Sequence, residues 1–231
     1  PQKNFFNDTA TTEIYTVLTS SAASDVYKRQ APIGVKWHWA ARDAGCEIHG
    51  ATVLRGARWS MQISTVDYSK KDKMNMSKSL KRVMRALGDA GLDIAPLELG
   101  PETRTAQQAA DAVGCALDQI AKSVIFAGTE TGKAILFVTA GGNKVDASNA
   151  SLAAVEPLGK ADAALIRAQT GFAIGGVAPI GLLNPITAFF DPRLIEFDVV
   201  FAAAGTPRHI FPIDPQVLLK ISDAQLFDFI A

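Results

Sequence analysis

The sequence is poor in the residues that build metal sites, disulfides and covalent catalysts. It has two cysteines and three histidines in 231 residues. Cys46 and Cys115 lie far apart and form no CxxC pair, which argues against a disulfide framework or a zinc site and is typical of a reducing, cytoplasmic compartment. The histidines form no HxH or HExxH pair, and GxSxG is absent. We therefore expect no metal ion, and we see no nucleophile for a covalent mechanism.

Long apolar runs and an excess of one charge are also missing. No stretch approaches the roughly 20 apolar residues of a membrane-spanning helix, and the N-terminus lacks the basic segment and apolar core of a signal peptide. Residues 77–231 carry 13 Lys or Arg against 16 Asp or Glu, a formal charge of −3. Proteins that hold long stretches of nucleic acid by the phosphates are usually basic. The composition predicts a soluble cytoplasmic protein that binds neither membrane nor DNA and touches little of any RNA partner.

The composition divides the chain into three segments. Residues 1–30 resemble translated sequencing-adapter read-through, and a genuine disordered tail rich in Ser and Thr is the alternative. Residues 31–76 hold all three tryptophans but follow neither the helical nor the strand period, so they are interpreted as an extension or a linker, with upstream or out-of-frame sequence as the alternative. Residues 77–231 alternate between helical and strand patterns and are predicted to form one domain.

The apolar spacing of this domain predicts a mixture of helices and hairpins. Helices are expected at 77–90, 106–113, 152–158, 161–169 and from 215 to 229. Strands are expected at 93–99, 119–127, 134–140, 186–190, 199–204 and 209–213. This order excludes a regular βαβ repeat. It predicts a mixed α/β fold of the α+β type, in which a mixed, mostly antiparallel sheet could close into a barrel with helices packed outside.

A lysine interrupts the apolar strand predicted at 119–127. With a period of two, Lys122 shares one face of that strand with Ile120, Val124 and Phe126. Lysine is seldom buried without a partner, so one interpretation is a ligand contact in a cleft. The other is an edge strand whose lysine reaches water and blocks aggregation. The spacing alone leaves both open.

A loop without periodicity follows at residues 171–181. Its four glycines and one proline leave backbone amides uncovered by side chains, and such amides can hold an ester carbonyl or an oxyanion. Gly175 and Gly176 allow close approach of a ligand, and Pro179 stiffens one end. A tight surface loop is the alternative. Residues 141–144 lack the spacing of a phosphate loop and are interpreted as an ordinary turn.

Several motifs follow one another along residues 77–231: Thr103-Arg104-Thr105-Ala106, Ala109-Ala110, Gly114, Ile120-Ala121-Lys122-Ser123, Gly175-x-x-x-Pro179 and Gly205-Thr206-Pro207. In this order they resemble the YbaK/ProX family of aminoacyl-tRNA editing domains. The resemblance implies a trans-acting deacylase without metal or organic cofactor. Such an enzyme hydrolyses the ester between a wrongly attached amino acid and the 3′ end of a tRNA, commonly that for proline. The implied partners are the tRNA acceptor end and prolyl-tRNA synthetase.

The resemblance also implies which residues form the site. Lys122 and Gly175 act in catalysis, and seven further residues bind the substrate. These seven are Ser123, Gly176, Pro179, Thr103, Arg104, Gly205 and Thr206. The run 202–204 is all alanine where cysteine-specific members carry a hydroxyl, so a more apolar pocket is expected. The alternatives are a catalytically silent module that binds the tRNA end or a synthetase, and an unrelated small-molecule hydrolase, which the lack of a nucleophile disfavours.

Overall fold

The computed structural model describes residues 37–41, 47–49, 59–63 and 76–231. The chain divides into two compact units, residues 1–64 and 65–231. In the first unit, β1 (Trp37–Ala41), β2 (Glu47–His49) and β3 (Trp59–Ile63) pair antiparallel in the order β2-β1-β3. The sequence does not indicate these strands, because runs of three to five residues are too short to display a clear period. The interpretation of residues 1–30 lies outside the described residues.

Five helices are described in the second unit, and local capping explains where they begin and end. The Ser77 side chain accepts a hydrogen bond from the amide of Leu80, and Thr105 with Gln108 forms the predicted capping box. Gly114 ends the second helix in the left-handed conformation. The helices are α1 (Lys78–Asp89), α2 (Ala106–Val113), α3 (Ala147–Ala154), α4 (Ala163–Thr170) and α5 (Pro215–Ile221). None of them is long and apolar enough to cross a membrane.

Two helix predictions are wrong, and backbone conformation explains both. The helix expected at 152–158 is α3, which begins earlier because the Asp146 side chain accepts from two backbone amides. It ends where Val155 adopts a φ of 58°, and residues 158–160 form a strand instead. The helix expected to reach 229 stops at Ile221, because Ser222 caps it and Asp223 has a φ of 51°.

The second unit contains one mixed sheet, which confirms the predicted fold class. The strands are β4 (Leu97–Glu98), β5 (Ile120–Gly128), β6 (Ala134–Thr139), β7 (Leu158–Lys160), β8 (Thr187–Phe190), β9 (Val200–Thr206), β10 (His209–Ile213) and β11 (Gln225–Leu226). Their order is β11-β8-β6-β5-β9-β10-β4, with β7 paired to β5. Four pairs are antiparallel (β5–β6, β5–β7, β9–β10, β10–β4), and three are parallel (β6–β8, β5–β9, β8–β11).

Strand β5 changes partner along its length. Its start pairs with β9 through Ile120 and Ala121, and its end pairs with β7 from Phe126 to Gly128. On its other side, residues 122–127 pair with β6. Residues 122–125, which include Lys122, therefore lie between the β9 ladder and the β7 ladder.

The central strands are buried on both faces. On β6, Leu136 and Val138 belong to a larger core with helix α1, while Ile135 and Phe137 belong to a smaller core. Burial on both sides explains why this strand is a continuous apolar run rather than an alternating one. The larger core also contains four residues of the 171–181 loop, Phe172, Val177, Ala178 and Ile180. The base of that loop is thus part of the core, which holds it against the sheet.

Candidate functional site

Lys122 lies on an interior strand and is partly buried. It faces Thr139 across the β5–β6 ladder, and its Nζ donates a hydrogen bond of 2.8 Å to the carbonyl oxygen of Asn143. Burial lowers the pKa of the ammonium, while Asp118 and Asp191 raise it and nearby Lys144 lowers it. Because β5 is not an outer strand of the sheet, the interpretation of Lys122 as an edge-strand lysine is wrong.

Asp191 is a fully buried carboxylate that binds the side chain of Asn143, the residue whose carbonyl oxygen accepts from Lys122. Its Oδ2 accepts hydrogen bonds from Thr139 Oγ1 at 3.1 Å, from the Ala140 amide at 2.9 Å and from Asn143 Nδ2 at 2.8 Å. Its Oδ1 accepts from the Arg193 amide at 2.9 Å. The residue is 0% exposed. Four donors therefore satisfy the buried charge, as the desolvation cost of a carboxylate demands.

The 141–144 turn connects the carboxylate to the lysine. Asn143 is bound to Asp191 through its side chain and to Lys122 through its carbonyl. Gly142 donates to Asp118 Oδ1 at 3.0 Å, and a Cβ on Gly141 would lie 2.0 Å from the Leu117 carbonyl oxygen. The prediction of an ordinary turn misses this role of Asn143. A polar Gly-Gly-Asn turn directly after a buried strand was the available signal.

Ser123 points to the opposite face of β5 from Lys122. Its strand neighbours on that face, Ala121 and Ile125, belong to the larger core. Its Oγ is buried and has no hydrogen-bond partner within the described part of the chain. An unpaired buried hydroxyl costs about 1–3 kcal/mol, so a donor or acceptor from a ligand would gain from pairing with it.

The glycine loop, residues 171–181, contacts the end of β9. A Cβ on Gly176 would lie 2.5 Å from the Thr206 carbonyl carbon, and one on Gly205 would lie 2.8 Å from Phe172 Cε1. Gly175 is exposed, has a φ of 84° and has open space around it, whereas Pro179 is buried. The structure therefore brings together four of the predicted site residues: Gly175, Gly176, Gly205 and Thr206.

Strand β9 pairs with the start of β5 and also contacts the glycine loop. Ala121 pairs with Ala202 in the parallel β5–β9 ladder, and this is the last pair of that ladder. Lys122 is the next residue of β5. Gly205 lies three residues beyond Ala202 on β9, roughly 10 Å along the strand at about 3.3 Å per residue. Lys122 therefore follows the end of the β5–β9 ladder, and the glycine loop contacts β9 a few residues further along.

Thr103 and Arg104 precede helix α2. Thr103 is buried, and its amide donates to the Gly100 carbonyl at 3.1 Å. Arg104 is exposed, and its amide donates to Gln108 Oε1 at 2.9 Å. These bonds shape the start of α2 and leave the roles expected of the two side chains as predictions.

Gly176→Ala tests the contact between the loop and β9. The added Cβ would meet backbone atoms of Thr206, which cannot move aside as a side chain can. We expect the free energy of unfolding to fall by about 1–3 kcal/mol. Gly88→Ala is the matched control, because Gly88 is helical with nothing within 4 Å of the new Cβ. It should stabilise by up to about 1 kcal/mol. Urea denaturation of both variants measures their free energies of unfolding. Equal stability of the two variants would contradict the close contact between Gly176 and Thr206.

His209 makes stability depend on pH near this site. Its Nδ1 lies 2.6 Å from Thr206 Oγ1, and burial lowers its pKa below the ordinary 6.5, against a smaller opposing effect of Glu98. The unfolded chain therefore takes up the proton first as the pH falls, so stability is lost from about pH 6.5 down to the folded pKa. His209→Gln should remove this part of the loss. Urea midpoints measured between pH 8 and 5 test it, and parallel profiles for the two proteins would refute it.

Acidic and thiol groups do not assemble into a metal site here. Across the residues that the structure describes, no group of three or more His, Cys, Asp or Glu side chains is placed to hold a metal ion.

Burial raises the pKa of the Cys115 thiol to about 12. Cys115 is therefore a thiol rather than a thiolate at neutral pH.

The family model described as the aminoacyl-tRNA editing domain matches residues 100–221. That range contains Lys122, the glycine loop and the turn after β9. This chain belongs to the aminoacyl-tRNA editing domain family. The resemblance drawn from the ordered motifs is confirmed.

Relatives of this editing domain agree in sequence and in fold. The uncharacterised protein YwhH of Bacillus subtilis (strain 168) is 32% identical over 130 residues, covering 56% of this chain and 82% of YwhH. A crystal structure described as "a putative trans-editing enzyme for prolyl tRNA synthetase" is 40% identical, with a TM-score of 0.64 over 68% of this chain and 99% of the other. The hypothetical protein APE2540, at 24% identity and a TM-score of 0.60, shares the fold over 65% of this chain and 99% of its own.

Proposed function

We propose that this editing domain is a trans-acting deacylase that hydrolyses the aminoacyl ester of a mischarged tRNA, with tRNA for proline as the expected carrier. The single observation that carries the proposal is that the range matched by the family model holds a partly buried Lys122, which directly follows the β5–β9 ladder, and a glycine loop that contacts the end of the same β9. The relative described as a trans-editing enzyme for prolyl-tRNA synthetase supports the choice of tRNA.

Lys122 is proposed to anchor the 3′ end of the tRNA. An ammonium has three donors, and one of them is used by Asn143. The other two can reach a phosphate or the ribose of the terminal nucleotide. Because the group is partly buried, its attraction for an anion exceeds that of an exposed lysine. A rigid interior strand fixes where that attraction acts.

The glycine loop is proposed to receive the ester carbonyl. The Gly176 amide already donates to the Ala173 carbonyl at 3.0 Å, so it stabilises the loop itself. Gly175, exposed and with open space around its Cα, is the position where a substrate can approach the backbone. An amide aimed at the developing oxyanion lowers the barrier to attack on the ester.

The hydrolysis itself requires only water and the substrate. A water molecule attacks the ester carbonyl, the bond from the carbonyl carbon to the ribose oxygen breaks, and that oxygen takes the proton. The neighbouring ribose hydroxyl of the substrate can assist the transfer. Holding ester and water in place can supply on the order of 7–11 kcal/mol at best, so an activated ester needs no dedicated protein base.

The pocket is proposed to select a small amino acid. Ala202, which pairs with Ala121 next to Lys122, and the two residues after it are all alanine, so these positions of β9 contribute only methyl groups. One methylene in an apolar pocket changes the binding free energy by only ~1–3 kcal/mol, so selection is expected to be by size. The formal charge of −3 for residues 77–231 favours contact with the acceptor end alone, with prolyl-tRNA synthetase as a partner that supplies tRNA affinity. Charged tRNA also implies a cytoplasmic location.

The deciding experiment is release of amino acid from tRNA for proline charged in turn with alanine, cysteine, serine and proline. The full chain should accelerate hydrolysis of at least one mischarged species and spare prolyl-tRNA. Binding of charged tRNA without any acceleration over the spontaneous rate would refute the deacylase and favour the catalytically silent module. Nanomolar, salt-sensitive binding of uncharged tRNA would contradict the limited contact proposed from the charge.

A further inference from the structure

Arg82, on helix α1, contacts both ends of the glycine loop. Its Nε donates to the Gly181 carbonyl oxygen at 2.5 Å, and its Nη2 donates to the Thr170 carbonyl oxygen at 3.3 Å. Its Cζ lies 4.3 Å from the centroid of the Phe172 ring. The Arg82 side chain thus contacts Thr170 just before the loop, the Phe172 ring near its start and Gly181 at its end.

The loop ends are shaped to fit this arginine. Gly171 has a φ of 75°, and a Cβ there would lie 2.7 Å from Arg82 Nη2. Gly181 has a φ of 66°, and a Cβ there would lie 3.1 Å from the Arg82 carbonyl oxygen. A larger residue at either position would need a strained backbone and would crowd the arginine or its helix. Close approach at both ends therefore depends on glycine in the loop and arginine in the helix.

The chemistry of this contact requires a guanidinium. Its planar fork places two donors toward two different carbonyls, while its face stacks on an aromatic ring. A lysine ammonium offers a point charge and cannot make all three contacts in this geometry. Burial lowers the pKa of Arg82, but a guanidinium keeps its proton in proteins, so the group is charged.

The tip of the loop, Ile174 and Gly175, is exposed to solvent. Ile174 is 60% exposed and Gly175 is also exposed, so the tip has few packing contacts of its own. Glycine has more conformational freedom to lose than any other residue, which makes a defined tip costly. The position of Gly175 therefore depends on how its neighbours are held, by the contact of Gly176 with Thr206 and by Arg82 at the two ends of the loop.

We propose that Arg82 is a positioning residue, whose guanidinium fixes both ends of the glycine loop and thereby the shape of the aminoacyl pocket. Arg82 lies outside residues 100–221, the range that the editing-domain family model matches. The proposal rests on the proposed function for its consequence in catalysis. Its structural part, the restraint of the loop, can be measured without any substrate.

Amide hydrogen exchange of the full chain measures the restraint directly. Arg82→Met should make the amides of residues 172–181 exchange about tenfold faster or more, because the loop opens locally without global unfolding. Arg82→Lys should show the same increase and serves as the second variant if Arg82→Met folds poorly. Arg85→Met, an exposed arginine one turn further along the same helix, is the control and should exchange as wild type. Unchanged loop exchange in both Arg82 variants would overturn the proposal.

A double-mutant cycle with Gly175→Ala measures the catalytic consequence. We expect each single change to lower kcat/KM for deacylation by about tenfold to 100-fold, because both misplace the same loop. If Arg82 acts through the loop, the double variant should be little worse than the more damaging single one. If the fold-losses in kcat/KM of the two single variants multiply in the double variant, the two residues act independently and the positioning role of Arg82 is overturned. Absence of deacylation by the wild type would refute the proposed function instead, while the exchange experiment would still decide whether Arg82 restrains the loop.

Discussion

Lys122→Ala is expected to lower kcat/KM for deacylation by about 100-fold or more. Its ammonium is the charged donor that the fold holds on an interior strand, oriented by the Asn143 carbonyl at 2.8 Å. Removing one such preorganised donor from a catalytic site costs about 2.7–4 kcal/mol of transition-state stabilisation. Steady-state hydrolysis of mischarged tRNA for proline measures this loss. Lys122→Ala with the wild-type rate on every mischarged species would exclude a role for the lysine.

Lys133→Ala is the matched control for this experiment. Lys133 is an exposed lysine in the turn at the far end of β5, so it has the same charge in a solvated position. It should retain the wild-type rate. The pH dependence adds a second signature, because burial lowers the pKa of Lys122 below its ordinary 10.5. The part of the rate that depends on Lys122 should therefore decline as the pH rises through that lowered value, and a lysine that stays fully active above pH 10.5 would contradict it.

Asp191→Asn is expected to lower the free energy of unfolding by about 2–4 kcal/mol. The carboxylate is 0% exposed and accepts four hydrogen bonds from Thr139, Ala140, Asn143 and Arg193. An amide presents an NH₂ group where one carboxylate oxygen stood, so a donor would face a donor. The four groups would also lose the charge that strengthens their bonds. Chemical denaturation monitored by circular dichroism measures the change.

Asp214→Asn is the control that separates burial from capping. Asp191 and Asp214 both cap a helical segment that begins with proline, but Asp214 is exposed. Asparagine is about as good an N-cap as aspartate, so this change should cost less than about 1 kcal/mol. If the two substitutions have equal effects, Asp191 acts only as a cap. Asp191→Asn should also release Asn143 and thereby Lys122, which predicts a deacylation loss beyond that of Asp214→Asn.

Local rules predicted most elements of the second unit. The capping box of Thr105 and Gln108 and the left-handed Gly114 bound α2 at the predicted residues, because these signals act within one turn of helix. The failures at 152–158 and beyond Ile221 arise where Val155 and Asp223 adopt positive φ. Valine rarely adopts that conformation and aspartate adopts it only occasionally, so propensity gives little warning of either helix end.

The candidate site was predictable only in part. Lys122 and the glycine loop are conspicuous because a charge in an apolar strand and a glycine-rich stretch break local patterns. The residues that hold them are not conspicuous: Asn143 is 21 residues from Lys122, Asp191 is 48 from Asn143, and Arg82 is 99 from Gly181. An arginine on an amphipathic helix or an aspartate before a proline has a common local explanation. The contacts of Arg82 with the glycine loop and of Asp191 with Asn143 become visible only in the folded chain.

The amino-acid order by itself determined the class of fold, the ends of most helices and the family, because caps, periodicity and ordered motifs are local or sequential properties. Tertiary structure alone decided that β5 is an interior strand whose pairing with β9 ends just before Lys122, and that Gly176 of the glycine loop contacts Thr206 at the end of β9. It also decided that Arg82 contacts both ends of the glycine loop, and that Asp191 binds Asn143, whose carbonyl oxygen accepts from Lys122. These facts depend on hydrogen bonds and burial between distant segments, whose strength is set by the desolvation of the assembled protein rather than by any neighbour in the sequence.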